Sequence, residues 1–258
     1  MAIIGRNRMN ISQDQKYKYR EEGYFILPQM IDRSNLELLR NECDILIREQ
    51  EAEMDRLGVD ELNLSRRNSR YYIFLASRQR THLADYLFNP LNAEICRTTI
   101  GDTAFLFWEQ FVVKGQEKGA EFGWHQDSGY VDHPHRPYVN CWVPLDDVSE
   151  ENGTIYILPY PRAGTKAKIT HKVLPGSTDR ICYTGDDPGE PIICKAGSIV
   201  VFSSTTFHRS GANQTDKFRR AYAAQYSPEP IYEADGSLKG LAIPFLKDGK
   251  NVSPTQPK

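Results

Sequence analysis

Trp124-His125-Gln126-Asp127, read with Phe207-His208 and with Arg219 eleven residues beyond that histidine, decides how this chain is read. A histidine and a carboxylate separated by one residue, with a second histidine far downstream, make the ligand set of a facial metal triad with open coordination positions. His125 and His208 each offer a neutral imidazole nitrogen, and Asp127 offers one carboxylate oxygen. Such mixed nitrogen and oxygen donors suit Fe(II), and the open positions suit oxygen activation. The plainer alternative is a strand-edge histidine beside a surface carboxylate. Context favours the metal. Gly123 and Trp124 lead in from a loop, the apolar run Val139 to Leu145 follows, the strand-like run Gly197 to Phe202 precedes the second histidine, and Phe218-Arg219-Arg220 opens a third.

The strings WHQDSGY (124–130), VNCWVPLDDVSEENGTIYILP (139–159), GSIVVFSSTTFHRSGAN (197–213) and FRRAYAAQY (218–226) stand in that order. Together they resemble the phytanoyl-CoA dioxygenase family of non-haem Fe(II)- and 2-oxoglutarate-dependent oxygenases. The likeness runs from about Phe105 to Ser227, with a looser match at EEGYFILPQMI (21–31). It implies a double-stranded β-helix of the cupin type, with His125 and Asp127 at the end of one barrel strand and His208 on the opposite sheet. It further implies that Arg219 pairs with the distal carboxylate of 2-oxoglutarate and that Ser210 hydrogen-bonds the same cosubstrate. A planar guanidinium fork matches a carboxylate. Arg220 is the rival, but adjacent residues of a strand face opposite ways, so one of the two points inward; position relative to His208 favours Arg219. The chemistry implied is oxidation of an unactivated C–H, hydroxylation above all, with O2 consumed and 2-oxoglutarate converted to succinate and CO2. Halogenating relatives replace the carboxylate by a small residue, so Asp127 argues against halogenation. Desaturation, epimerisation and ring formation stay open. The resemblance is silent on substrate.

At 258 residues the chain fits one domain, read as helical support over about 12–100, a jelly-roll core over about 102–228 and a C-terminal extension over 229–258. A net charge of −2 and a pI near 6.3 give no case for nucleic acid or for an acidic membrane surface. Cys43, Cys96, Cys141, Cys182 and Cys194 are odd in number and lack a CxxC spacing, which points to reduced thiols and a cytoplasmic setting. MAIIGRNRMN is too short an apolar run for a signal peptide, no stretch reads as a membrane span, and Gln256-Pro257-Lys258 is no peroxisomal address.

Ser12 caps a helix that Gly23 ends, and Tyr24 to Leu27 reads as a strand. Ser34 with Glu37 reads as a capping box opening an amphipathic helix to about Leu57, since Leu36, Leu39, Cys43, Leu46 and Ile47 recur at helical spacing. Gly58 to Arg70 reads as an irregular loop, Tyr71 to Leu75 as a strand, and 77–88 and 90–100 as helices. From Asp102 the period changes to two, with short strands separated by turns, which indicates a barrel or jelly roll. Asn152-Gly153 between two apolar runs reads as a hairpin turn, and Asn251 to Lys258 as disordered.

Further candidates line up around this core. Gln110 and Lys114 share a face of the strand 103–114; facing inward they would reach cosubstrate or substrate, facing outward Lys114 is a solvated cation. Tyr130, His135 and Tyr138 are read as lining the pocket entrance. His133-x-His135 has metal-like spacing, but Pro134 between them and no matching carboxylate favour a loop. Arg66, with Arg67 and Arg70, forms either a solvated loop or an anion-binding lid over the site. The substrate pocket is expected from 64–80, 115–122 and 130–138. Competing functions are a non-catalytic cupin-like binding protein and an oxygenase acting on a macromolecule. A small-molecule substrate with Fe(II), 2-oxoglutarate and O2 is the preferred reading, and the sequence gives no oligomeric state.

Overall fold

The computed structural model of the chain describes residues 11–116, 122–174 and 179–254. The expectations for the N-terminal ten residues, for the body of the 115–122 loop and for 255–258 lie outside the described residues. The chain opens with α1 (Gln13–Glu22) and β1 (Tyr24–Leu27), then α2 (Arg33–Leu57), β2 (Glu61–Leu62), β3 (Ser65–Arg66) and β4 (Arg70–Phe74). Next come α3 (Ala84–Leu87), α4 (Pro90–Thr99), β5 (Ala104–Lys114), β6 (Phe122–His125), β7 (Val139–Pro144), β8 (Ile155–Leu158) and α5 (Tyr160–Ala163). The rest are β9 (Lys172–Val173), β10 (Arg180–Ile181), β11 (Glu190–Pro191), β12 (Ile199–Ser203), β13 (Phe207–Ser210), β14 (Arg219–Ser227), β15 (Ile243–Lys247) and β16 (Lys250–Asn251).

Two antiparallel sheets form the jelly roll. The major sheet runs β1-β12-β7-β14-β5-β4-β3-β2, with β15 added to β5 and β16 to β15, and the minor sheet runs β11-β8-β13-β6. Both faces of the central strands β7, β12 and β14 are buried, so the two sides of each strand face two interiors. Val139, Cys141 and Val143 of β7, and Tyr222, Ala224 and Tyr226 of β14, pack with the helices in one core. Asn140 and Trp142 of β7, and Arg219, Ala223 and Gln225 of β14, face the barrel interior and line its cavity. Covering the outer face is what α2 does, through Leu39, Cys43, Leu46, Ile47 and Met54. Fully burying each such chain is worth roughly 1.5–3 kcal/mol.

The local signals held at α1, where Ser12 Oγ accepts from Gln15 N at 3.1 Å and Gln15 Oε1 accepts from Ser12 N at 2.8 Å. Elsewhere the structure corrects the sequence reading. The cap of α2 is Asp32, whose carboxylate accepts from Asn35 N and from Ser34 Oγ, so Ser34 serves the cap instead of being it. Stretch 77–88 is two 3-10 turns and the one-turn α3, because its apolar residues are too few to bury a longer helical stripe. The 58–70 loop contains β2 and β3, which extend the major sheet. Asn152-Gly153 makes no hairpin: β7 and β8 lie in different sheets, and the turn carries the chain between them. Asn251 pairs with Leu246, so the C-terminal extension is ordered through β16.

Beneath the outer face of β5, fully buried Glu109 accepts from Tyr222 Oη at 2.9 Å and Ser77 N at 2.8 Å. Burial raises its pKa above the usual carboxyl value despite those two donors. A raised folded pKa contributes stability that is fully present below the unfolded pKa of about 4.3 and is lost as pH rises through the folded value. Glu109→Gln should therefore gain urea midpoint relative to the native protein as pH rises above the unfolded carboxyl value of about 4.3. A difference that stays flat with pH would refute a buried ionisation there.

Candidate active site

β6 and β13 are neighbours in the minor sheet, and their register makes His208 the direct cross-strand partner of His125. The two rings lie side by side, 4.1 Å between centroids. Asp127 follows one residue after β6 ends, opening a 3-10 turn, and its Oδ1 lies 3.6 Å from His125 Nε2 and 3.5 Å from His208 Nε2. One donor atom from each of the three falls within 4.8 Å of the others. His208 thus stands on the strand next to His125, in the same sheet, and not on the opposite sheet as the resemblance implied; only that pairing sets both imidazoles on one face.

His125 Nδ1 lies 2.9 Å from Gly123 O and His208 Nδ1 3.1 Å from Thr206 O. Each ring nitrogen facing a carbonyl carries the proton, which leaves the Nε2 lone pairs directed at Asp127. Burial, then the neighbouring His125, pulls the His208 pKa down to about 4, so it is a neutral ligand at pH 7. Burial opposes charge on Asp127, yet the two imidazoles hold its pKa below the usual carboxylate value. Gln225 Nε2 donates to Asp127 Oδ2 at 3.2 Å and fixes which oxygen faces the histidines. Two neutral nitrogens and one anionic oxygen, convergent, buried and open on one side, fit a divalent ion such as Fe(II).

Gln126, between the ligands, is a staple. Its Nε2 donates to Thr205 O at 2.6 Å and Ala167 O at 2.9 Å, and its Oε1 accepts from Ile169 N at 2.8 Å. Every polar group of that buried amide is used in holding the ligand turn to two neighbouring segments.

The triad opens on a cavity of about 590 Å³. At its other end Arg219, 1% exposed, donates from Nη2 to Gly153 O at 3.0 Å, while Nε and Nη1 have no partner among the described residues. Burial lowers its pKa from 12.5 to about 10, still a full cation at pH 7. The receiving carbonyl belongs to a turn where Gly153 has φ +77°, and a Cβ there would come within 2.7 Å of Gly211 O. Trp142 lies under the guanidinium at 5.8 Å, and Ala221 and Ala223 of β14 keep the intervening space clear of bulky side chains. Arg220 faces outward to Asp146 at 2.7 Å and Asp44 at 2.7 Å, which settles the pair in favour of Arg219 for the interior.

Of the other expected residues, Ser210, Gln110, Tyr130 and Tyr138 line the cavity. Tyr130 stands edge-on to His125 at 5.8 Å. Lys114 faces inward but donates to Gly211 O at 2.6 Å, behind the cavity wall. Two placements are corrected. His135 bonds Ser128 Oγ at 3.0 Å and His133 O at 2.9 Å and does not line the cavity. Arg66 is exposed beside Glu61 at 3.5 Å: it stands opposite Arg70 in register, but β3 lies one strand further out in the sheet, beyond the cavity. Within that arginine cluster it is Arg70 that reaches the cavity. The sequence reading missed Asn140, Trp142 and Gln225. Period-two counting would have found the last, which shares its face with Arg219.

A phytanoyl-CoA dioxygenase (PhyH) family model matches residues 19–221. Human peroxisomal phytanoyl-CoA dioxygenase is 19% identical over 248 residues, spanning 90% of this chain and 72% of that protein. Among solved structures, the carbocyclase SnoK from nogalamycin biosynthesis superposes with TM-score 0.69 at 19% identity, covering 88% of each chain. EvdO2 from Micromonospora carbonacea var. aurantiaca, complexed with 2-oxoglutarate, gives 0.66 at 22% identity over 95% of this chain and 97% of its own. Triad, cavity and family model agree, and the chain belongs to the phytanoyl-CoA dioxygenase family of Fe(II)/2-oxoglutarate-dependent oxygenases.

Proposed function

We propose that this protein is an Fe(II)- and 2-oxoglutarate-dependent dioxygenase that oxidises, in the simplest case hydroxylates, an unactivated C–H of a small molecule. One observation carries the reading: a convergent His125–Asp127–His208 set and a buried, half-satisfied Arg219 open on the same cavity. Fe(II), when bound, supplies O2 activation coupled to decarboxylation of 2-oxoglutarate to succinate and CO2. The chain supplies the rest. His125, Asp127 and His208 hold the ion, with Gln225 orienting the carboxylate. Arg219 and Ser210 receive the distal carboxylate of the cosubstrate, whose oxygens accept from the guanidinium donors left unpaired. Phe107, Trp108 and Tyr138 wall the cavity with apolar surface and keep water off the reacting centre. Phe107 and Trp108 are consecutive in β5, and both line the cavity because the β5–β14 ladder shifts register there. Asp127 occupies the position that a halide would need, so hydroxylation or another C–H outcome is favoured over halogenation. Among the described residues no helix is long and apolar enough to cross a membrane. The five free cysteines support a cytosolic setting.

Anaerobic titration of the Fe(II) protein with 2-oxoglutarate should raise the visible charge-transfer band of the chelate. His208→Ala should abolish the band, and Arg219→Ala should need about tenfold or more cosubstrate, the scale of a lost charge-assisted hydrogen bond. An iron-loaded, folded wild type without the band would sink the proposal in favour of a non-catalytic binding protein. Independently of turnover, Fe(II) at a hundredfold excess over its Kd should stabilise the fold by about 2.7 kcal/mol. That is a rise in Tm of roughly 5–10 °C, absent in His208→Ala.

A further inference from the structure

Arg70 begins the cavity-facing side of β4, and Tyr72 and Phe74 continue it at period two. In register Arg70 stands opposite Lys114, and Lys114 stands opposite Arg219 on its other side. Arg66 of β3 stands opposite Arg70 in turn, so four cations occupy one row across four neighbouring strands, with Glu61 opposite the outermost. Directly opposed side chains on adjacent strands start about 5 Å apart, and like charges so placed repel. Each needs a reason to be there. Lys114 donates to Gly211 O, and Arg219 donates to Gly153 O and keeps two donors for the cosubstrate. Arg70 has neither. Its Nε is buried without a partner, and it forms no ion pair among the described residues. Its neighbours differ: Arg66 lies beside Glu61, and Arg67 pairs with Asp55 and Asp60 on the outer surface.

A cosubstrate dianion does not fill this need. On the reading above, one carboxylate of 2-oxoglutarate goes to the metal and the other to Arg219, so none is left for Arg70. The strip beginning at Arg70 is aromatic. Tyr72 stacks on Phe74 (6.2 Å, 21°), and Phe74 meets Trp108 at 5.7 Å. Trp108 stands opposite Gln225, whose amide reaches Asp127. The strip thus leads from a free guanidinium to a metal ligand. The six-residue step along β5 from Lys114 to Trp108 covers about 20 Å of backbone at about 3.3 Å per residue, less the reach of the arginine side chain.

We infer that the substrate is a small organic anion whose acidic group, carboxylate or phosphoryl, is bound by Arg70, with its apolar part lying along Tyr72, Phe74 and Trp108. This rests on the oxygenase reading and names the substrate class for the same cavity. The planar fork suits either oxyanion bidentately, which a lysine cannot reproduce.

The test is calorimetry on the anaerobic Fe(II) protein at saturating 2-oxoglutarate, with 4-phenylbutyrate, benzyl phosphate and neutral 4-phenylbutyramide as probes. At least one anion should bind wild type more tightly than the amide. Arg70→Gln should weaken that anion at least tenfold and Arg70→Lys by less, while amide binding stays unchanged. The anion that responds to Arg70 identifies the acidic group as carboxylate or phosphoryl. The 2-oxoglutarate titration should move less than threefold in Arg70→Gln. Anions that bind no better than the amide, or an equal loss for all three probes, would overturn the inference. So would a tenfold loss of 2-oxoglutarate affinity in Arg70→Gln, which would hand Arg70 to the cosubstrate. A wild type lacking the chelate band fails the oxygenase reading separately, and the same probes titrated into metal-free protein would still report whether Arg70 binds anions.

Discussion

Burying a guanidinium with two of its donors unused is the constraint on which the interior of this protein depends. An isolated buried charge costs several kcal/mol even after relaxation, so Arg219 at 1% exposure is tolerable only in surroundings made for it. The Gly153 carbonyl, available because a left-handed glycine turn carries the chain between the sheets, takes one donor. Trp142 offers a ring face. What remains is a binding potential directed into the cavity, and the alanines at 221 and 223 leave it unobstructed. Stability has been given up at one point so that an anion can recover it.

The same strand shows how the two sides of the major sheet divide their tasks. Arg220, one residue on, meets Asp146 and Asp44 and ties β14 to α2. Its pKa is raised, first by the hydrogen bonds of Asp146, whereas burial lowers that of Arg219. Two adjacent arginines therefore sit in opposite electrostatic conditions. The outer one is structural because its charge is already matched. The inner one is unmatched.

Much of this was legible in the residues, and the failures have identifiable causes. His125, Asp127, His208 and Arg219 were readable because metal and carboxylate recognition demand particular chemical groups. The strands 104–114, 199–203 and 219–227 were readable because short runs rich in apolar, β-branched and aromatic residues, bounded by turn residues, mark strands even when both faces are buried and alternation is lost. Asn152-Gly153 misled because a two-residue turn signal states local backbone preference and cannot say whether the next strand stays in its sheet. Arg66 misled for a related reason. Three arginines in five positions look like one cluster, but Arg66 and Arg70 stand opposite each other on different strands, and only β4, next to β5, lies near enough for its arginine to reach the cavity. Gln225 escaped notice because an amide has no charge to attract suspicion; its role appears only when Asp127 is seen beside it.

Histidine orientation offers the sharpest contrast between local and global causes. His125 and His208 each place Nδ1 against the carbonyl two residues earlier, and that contact looks made for metal binding. His135 and His171 do the same, at 2.9 Å to His133 O and 2.9 Å to Ile169 O, yet neither belongs to the triad. The contact is a habit of a histidine in extended chain and selects a tautomer wherever it occurs. What singles out His125 and His208 is their register across β6 and β13, which brings their Nε2 atoms to one carboxylate. His171 Nε2 instead accepts from Gln126 N at 2.9 Å and braces the ligand turn from behind. The metal site is therefore a product of strand pairing. Local sequence prepared four imidazoles in the same way, and the sheet chose two.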